Sequence, residues 1–310
     1  MGIEETFLKM RVSACQISTG PDIGESSEKI IEWIGRASGE DMDIVAFPEA
    51  TLCGYTCDPS YWEEVDPGEF ADAENAIIEA SREMDIGLVL GTAHRDGGDW
   101  YNDILAIDRG GEVRGRYSKT HLAESWSTPG RVLPIYELAG IKSCFLICHD
   151  IRYPELVRLP AISGAQLCYF CSNESGLVSE HKLSAYRAMP IARATENGIF
   201  LVMANAPADR DNIASGSQSH GNSKVVHPDG NVLAEAGHFE ETLVAATIET
   251  RDATRGCAKR SVNDETVLRQ WMRLGTRMVE KGKAAADKKP AKPAKPARPA
   301  KPKRKAKSRP

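Results

Sequence analysis

Short apolar runs alternate with amphipathic helical stretches along most of this chain, and this alternation favours a mixed α/β fold. The pattern predicts helices at residues 27–37, 69–84, 154–162 and 179–197. It predicts strands at residues 11–17, 44–47, 87–91, 102–107, 144–148, 166–171, 199–204 and 243–248. With 310 residues, the chain can bury a large core in one or two domains. The pattern alone does not distinguish a doubly wound sheet from a sandwich.

Three of the predicted strands end at residues that carry chemistry. Glu49 follows the strand at 44–47, and Cys148 ends the apolar run at 144–147. Lys119 closes a hairpin whose turn is residues 108–112. Because ligand sites in open α/β folds cluster at the carboxyl ends of strands, we expect the carboxylate, the ammonium and the thiol to share one site.

Cys148 occupies a favourable place for a nucleophile, since a strand ends there and a helix begins. Asp150 is expected to cap this helix, and Pro154 is expected to help open it. Backbone N–H groups gather at such a position and make the local potential positive. This setting predicts a lowered pKa for the thiol and stabilisation of a neighbouring anion.

The segments around these residues resemble the nitrilase, or carbon–nitrogen hydrolase, superfamily over roughly residues 10–262. The matching segments, in the family's order, are Phe47-Pro48-Glu49, Tyr117-Ser118-Lys119-Thr120-His121-Leu122, Cys148-His149-Asp150-Ile151-Arg152-Tyr153-Pro154-Glu155, Arg193-Ala194-Thr195-Glu196-Asn197, Asn205, Gly221-Asn222-Ser223 and Pro228-Asp229-Gly230-Asn231-Val232-Leu233. The resemblance implies a four-layer α-β-β-α sandwich that usually pairs with a second subunit. It also implies a catalytic triad of Glu49, Lys119 and Cys148, with Glu124 as a second glutamate in the site.

This set of residues suits hydrolysis of a carbon–nitrogen bond. A thiolate can attack a poorly electrophilic amide carbon and form a thioester, with Glu49 as general base and then acid. Lys119 and the backbone N–H of His149 would face the developing oxyanion. Nitrile-hydrolysing members of the family typically carry Trp-Glu after the nucleophile, whereas His149-Asp150 stands here. We therefore expect an amide or N-carbamoyl substrate.

The substrate itself stays open among ω-amides of dicarboxylic acids, N-carbamoyl amines or amino acids, and simple aliphatic amides. Side chains near the motifs in sequence are candidates for substrate binding. These candidates are Tyr55, Trp126, Asn173, Glu174 and Tyr186, together with His149. Glu174 would favour a substrate with a positive group, such as a carbamoylated polyamine.

Two other classes of function were weighed. A catalytically silent binding or scaffold protein could keep this fold, although the intact triad argues against it. A Cys-His protease would need a local signature that is missing around Cys148. Cys168 and Cys171 have the spacing of a zinc or redox pair, but a strand would point them to opposite faces. We found no HExxH, Walker or dinucleotide motif, so no metal or cofactor is expected.

Charge divides the chain into a body, residues 1–282, and a tail, residues 283–310. Residues 281–310 hold thirteen Lys or Arg and one Asp, which gives this segment a net charge of +12. Because the whole chain has a net charge of −5, the rest of the chain has a net charge of −17. Prolines recur every third residue from Pro290 to Pro302, which predicts an extended, disordered tail able to contact nucleic acid or acidic surfaces.

No apolar run approaches the ~20 residues that cross a bilayer. Together with a thiol nucleophile, this predicts a cytoplasmic enzyme.

Overall fold

The computed structural model describes residues 7–174, 183–212 and 219–286. Its strands are β1 (Lys9–Gln16), β2 (Ile44–Ala46), β3 (Gly87–Asp96), β4 (Asp99–Asp108), β5 (Glu112–Ser118), β6 (Tyr136–Leu138), β7 (Ile141–Ile147), β8 (Leu167–Ser172), β9 (Phe200–Asn205), β10 (Lys224–Val226), β11 (Val232–Glu235) and β12 (Thr242–Glu249). Its α-helices are α1 (Ile23–Gly39), α2 (Pro59–Glu64), α3 (Pro67–Met84), α4 (Glu155–Ser163), α5 (Leu183–Asn197), α6 (Gly256–Asn263) and α7 (Arg269–Ala286).

The strands form two six-stranded mixed sheets built on the same plan. The first has the order β12-β1-β2-β3-β4-β5 and the second β11-β10-β9-β8-β7-β6. Strands β1, β2 and β3 are parallel in the first sheet, as are β7, β8 and β9 in the second, and antiparallel strands flank both sets. Each sheet therefore has an edge at which the carboxyl ends of parallel strands lie together.

The sheets pack face to face, and helices cover their outer faces. The inner core contains Val12 and Val89 from the first sheet and Phe145 and Tyr169 from the second. A second apolar cluster joins the first sheet to α1 and α3, and a third joins the second sheet to α4 and α5. The four-layer α-β-β-α sandwich implied by the family resemblance is confirmed.

Helix α1 shows how the sequence sets these layers. Asp22 is extended, and its carboxylate accepts the Glu25 N–H at 2.9 Å, which caps the helix. Ile23, Ile30 and Ile34 then recur at helical spacing on its buried face. Burying each such side chain contributes about 1.5–3 kcal/mol. The helix starts earlier than residue 27, because the cap at Asp22 precedes the apolar pattern.

All of the predicted strands are present, with their ends moved by a few residues, and the hairpin between β4 and β5 is confirmed. Strands β6, β10 and β11 were missed because they are three or four residues long. The predicted helix at 179–197 is present as α5 from Leu183, while residues 179–182 lie outside the described part of the chain.

Strand β8 separates Cys168 and Cys171 as predicted. Cys168 packs in the cluster below α4 and α5, whereas Cys171 lies in the core between the sheets. Across the described residues, no group of three or more His, Cys, Asp or Glu could hold a metal ion. Among the helices of that same part of the chain, none is long and apolar enough to cross a membrane.

Helix α7 packs on α4 and α6 and continues to Ala286. The domain boundary predicted at residue 283 therefore falls within the last turn of this helix. Residues 287–310, which carry the proline repeat, lie outside the described residues, so the division into a 1–282 domain and a 283–310 tail stays a prediction.

Candidate active site

Four chemistry-bearing side chains follow the ends of strands from both sheets. Glu49 comes after β2, Lys119 after β5, Cys148 after β7 and Glu174 after β8. All four are buried, and Cys148, the most accessible of them, is only 6% exposed. The topology thus gathers at one edge the carboxylate, ammonium and thiol that the sequence predicted, and adds a second carboxylate beside the thiol.

The backbone at Cys148 adopts a conformation that is uncommon for a residue with a side chain. Its φ is +43°, at the point where β7 passes into a short 3₁₀ helix, Cys148–Arg152. Such strain persists only where the surroundings hold it, and it clusters at functional sites. The sharp turn presents the sulfur at the end of the strand, as a nucleophile requires.

Asp150 has a different role from the predicted one. Its carboxylate does not cap α4, which has Pro154 at its N-cap position. Instead it accepts hydrogen bonds from the Ile147 N–H at 3.1 Å, the His121 N–H at 2.8 Å and the Tyr117 hydroxyl at 2.8 Å. Asp150 therefore ties the turn that carries Cys148 to the segment that carries Lys119.

Lys119 lies between two buried carboxylates. Its Nζ donates to Glu49 Oε1 at 2.8 Å and to Glu124 Oε2 at 2.7 Å. Burial opposes the charge of Lys119, but Glu49, Cys148 and Glu124 outweigh this effect and raise the pKa of the ammonium. Lys119 is therefore a fixed cation.

Asn102, which the sequence analysis missed, bridges the same two carboxylates. Its Nδ2 donates to Glu49 Oε1 and to Glu124 Oε1, each at 2.8 Å. The register of the β4–β5 hairpin brings it there, because the Lys119 N–H bonds the Asn102 carbonyl at 2.8 Å. A fully buried asparagine in an apolar strand, opposite Lys119 in the predicted hairpin, was the signal that could have found it.

The pKa values of the two glutamates are shifted in opposite directions. Burial raises the pKa of Glu49, with Glu124 adding to the effect and Lys119 opposing it. Burial also acts on Glu124, but Lys119 and Asn102 outweigh it and lower the pKa of that carboxyl. Environments that separate the pKa values of two neighbouring carboxyl groups in this way are typical of an acid–base residue beside a permanent anion.

The expectation of a lowered thiol pKa at Cys148 is wrong. Burial, followed by the Glu49 charge, raises the pKa of this thiol well above its ordinary value, although Lys119 acts in the opposite direction. The turn at Cys148 is a short 3₁₀ helix, so the favourable potential of a longer helix is weak there. Cys148 therefore rests as a neutral thiol, and it would need a base to act as a nucleophile.

Glu49 lines a cavity of about 440 Å³, whereas Cys148 and Lys119 are not among the described residues that line it. Tyr55 and Asn173, two of the residues predicted to bind substrate, line this cavity together with polar side chains such as Ser18, Thr19 and Thr56. The Asn173 N–H also donates to Glu49 Oε2 at 3.1 Å. This bond orients the carboxylate and leaves the Asn173 side chain near the cavity.

The remaining predicted substrate-binding residues lie at different places. Trp126 stacks on Trp62 with ring centroids 3.6 Å apart, and it packs against the apolar cluster that joins the first sheet to α1 and α3. Tyr186 is buried, and burial is the main cause that raises the pKa of its hydroxyl, with Glu174 adding to the effect. His149 directly follows Cys148 and is half-buried, and burial lowers the pKa of its imidazole.

Glu174 contacts the Cys148 thiol itself. Its Oε2 lies 3.0 Å from Cys148 Sγ. The Glu174 N–H donates to Asn205 Oδ1 at 3.1 Å, and Asn205 is fixed in turn by the Ser219 hydroxyl and the Gly221 carbonyl. The nearness of Glu174 to the motifs in sequence predicts a place near the site, but it does not predict this contact with the thiol.

Comparison with known proteins agrees with this arrangement. A sequence model of the carbon–nitrogen hydrolase family matches residues 11–256, so the chain belongs to that family. It is 29% identical over 254 residues to a 2-oxoglutaramate amidase of Bacillus subtilis, covering 79% of this chain and 93% of that protein. It is 28% identical over 256 residues to the omega-amidase NIT2-B of Xenopus laevis, covering 78% and 89% of the two chains.

The fold is shared with solved amidases. The amidase from Nesterenkonia sp. superimposes with a TM-score of 0.71 at 26% identity, covering 82% of this chain and 95% of that one. A variant of that enzyme carries the acetamide moiety of fluoroacetamide covalently on its active-site cysteine, and it superimposes with a TM-score of 0.70 at 26% identity over 80% of this chain and 93% of the other. These similarities support a carbon–nitrogen hydrolase that acts on amides.

Proposed function

We propose that this protein hydrolyses a small amide or N-carbamoyl compound through a thioester on Cys148, with Glu49 and Lys119 completing a catalytic triad. The observation that carries this proposal is the position of Lys119, whose ammonium joins Glu49 at 2.8 Å and Glu124 at 2.7 Å beside the thiol. Structural ion pairs are seldom built in a fully buried site at strand ends, because desolvation makes them costly.

In the proposed reaction, Glu49 takes the proton of the Cys148 thiol as Sγ attacks the carbonyl carbon. The carbonyl oxygen becomes an oxyanion that faces Lys119 and the His149 N–H. Glu49 then passes its proton to the leaving nitrogen as the C–N bond breaks. A water molecule then gives a proton to Glu49 and attacks the thioester carbon. The C–S bond breaks to release the acid, and Glu49 returns its proton to the Cys148 sulfur, which restores the thiol.

The raised pKa values of Cys148 and Glu49 suit this proton transfer. Burial raises both, so the thiol holds its proton until attack, and Glu49 is basic enough to take it. Glu124, whose pKa is lowered chiefly by Lys119 against the effect of burial, stays an anion and holds the ammonium in place. We assign Glu124 to positioning and charge balance.

The substrate class follows from the polar cavity and the acidic site. Tyr55, Asn173 and the cavity hydroxyls are proposed to bind the part of the substrate beyond the reacting carbonyl. Tyr186 and Trp126 would shape the surroundings. Glu49 and Glu124 are buried beside Lys119, and Glu174 is buried beside Cys148. Because carboxylates outnumber the cation, a substrate with a positive group is favoured over one with a carboxylate.

A panel of amides, N-carbamoyl compounds and nitriles tests this function by release of ammonia. For a matched amide and nitrile of the same acyl group, we expect kcat/KM to be at least about tenfold higher for the amide, because His149-Asp150 follows the nucleophile. A faster nitrile would overturn the assignment. If the protein with an intact Cys148 released ammonia from no compound in the panel, the alternative of a catalytically silent binding or scaffold protein would be favoured.

We also propose that the chain forms a homo-oligomer in the cytoplasm. Helix α7 exposes Trp271, Leu274 and Met278, each more than half exposed, on one side of the helix. A second copy of the chain would cover this apolar strip. The eight cysteines are all free thiols, which suits a reducing compartment.

The basic tail is proposed to bind polyanions such as nucleic acid, independently of catalysis. We expect a chain ended after Ala286 to keep its kcat/KM within about twofold, to keep its oligomeric state, and to elute from heparin at much lower salt. Activity, sedimentation and heparin chromatography of the full and shortened chains measure these three properties. Lost activity or unfolding would place the tail within the folded domain.

A further inference from the structure

Two carboxylates, Glu49 and Glu174, raise the pKa of the Cys148 thiol, and only Glu49 has a role in the reaction proposed above. The second, Glu174, is 4% exposed, and its Oε2 lies 3.0 Å from Cys148 Sγ. Because the pKa of the thiol is raised by burial, the sulfur carries its proton and is the donor in this contact. A hydrogen bond to an ionised acceptor is stronger than a neutral one.

The position of Glu174 is fixed by its own supports. Its N–H is bonded to Asn205 Oδ1 at 3.1 Å, and the Asn205 amide donates to the Gly221 carbonyl at 2.7 Å. Ser219 donates to the same Asn205 oxygen at 3.0 Å. The carboxylate therefore lies beside the thiol because its backbone is held from the end of β9 and the segment that precedes β10.

We infer that Glu174 is the resting-state acceptor of the Cys148 thiol, and that it holds the S–H away from Glu49 until substrate enters. Rotation about the Cα–Cβ bond would then turn the thiol from Glu174 to Glu49, which takes the proton as the C–S bond forms. No proton is gained or lost in the turn itself. The inference rests on Cys148 as the nucleophile, but not on the identity of the substrate.

The consequence is a protected nucleophile. While the thiol donates to Glu174, little thiolate is present to react with oxidants or alkylating agents. Within the described residues, the charged or titratable groups near the sulfur are Glu49 and Lys119 from the first sheet, Tyr55 from the loop after β2, Glu174 after β8, Tyr186 on α5 and His149 on its own turn. Among these, Glu174 is the group in hydrogen-bond contact with Sγ.

The test is the pH dependence of Cys148 alkylation by iodoacetamide in full-length protein, followed by mass spectrometry of the peptide that contains Cys148. Glu174→Gln keeps the shape of the side chain but removes the anion. We expect the midpoint of its pH profile to lie at least about one unit below that of the unaltered protein, with an alkylation rate at neutral pH about tenfold higher. Glu74→Gln, which alters a buried carboxylate bonded to Arg116 and Thr92, should leave the midpoint unchanged.

An unchanged or higher midpoint in folded Glu174→Gln would overturn the inference. If that variant does not fold, the infrared S–H stretching band of the unaltered protein decides, taken as the difference from Cys148→Ser. A band shifted to lower wavenumber than a free thiol supports the hydrogen bond, and an unshifted band refutes it. Alkylation and infrared spectra need no turnover, so an inactive protein would fail the proposed function and leave this result standing.

Discussion

Replacement of Cys148 by serine is expected to lower kcat/KM on the best amide by at least about 10³-fold. Serine fills nearly the same volume, so the fold should be retained, but its hydroxyl is far less acidic than a thiol and Glu49 cannot activate it equally well. Glu49→Gln should give a loss of similar size. Because the two residues act as a unit, the double variant should be no worse than the more damaging single one. Steady-state kinetics on all three variants measures this.

Cys53→Ala is the matched control for the loss of a buried thiol. Cys53 is fully buried in the apolar cluster that joins the first sheet to α1 and α3. Its sulfur contacts the Ala50 carbonyl at 3.6 Å rather than a residue of the triad. This variant should lose some stability and keep its activity.

Activity in the unaltered enzyme should fall as pH drops through the raised pKa of Glu49, since a protonated Glu49 cannot accept the thiol proton. Comparable activity in Cys148→Ser would contradict the mechanism.

Replacement of Lys119 by methionine is expected to damage both activity and stability. It removes the cation shared by Glu49 and Glu124 and leaves two buried carboxylates together. Breaking a buried ion pair by removal of one partner costs about 3–5 kcal/mol. One carboxyl would take up a proton, so the pKa of Glu49 would rise further and the base would be lost at neutral pH. Denaturant unfolding and steady-state kinetics should both show the effect.

Lys224→Met provides the comparison for this variant. Lys224 is also buried, but it is bonded to Asn222 and to the partly exposed Glu235, outside the proposed site. Solvent can reach Glu235 after the substitution, so we expect a smaller loss of stability and activity within about threefold of normal. Equal losses of activity in both variants would show that Lys119 acts only through stability.

The parallel core of the fold could be predicted because its strands are short apolar runs bounded by turns and helices. Strands β2, β7 and β8 are buried on both faces, and their runs were found with small errors at the ends. Strand β11 is mostly exposed and β6 has three residues, so neither leaves an apolar pattern. The stacking of the two sheets came from the resemblance to a family, since composition does not distinguish it from a doubly wound sheet.

The strand-end positions of Glu49, Lys119 and Cys148 were predictable, but the contacts that tune them were not. Asn102 bonds both glutamates only because hairpin register places it opposite Lys119. The pKa of Cys148 was predicted with the wrong sign, because burial depends on packing of the whole sandwich and outweighs the local turn. The contact between Glu174 and the sulfur depends on a side-chain direction after β8 that sequence spacing does not fix.

The most direct test of the central claim is to trap the acyl-enzyme. Protein mixed with its best amide substrate and quenched in acid during turnover should show, by intact mass spectrometry, an added mass equal to the acyl group. Peptide mapping should place the addition on Cys148, and Cys148→Ala should show neither the adduct nor ammonia release. Turnover without any adduct on Cys148, together with continued ammonia release by Cys148→Ala, would contradict the account.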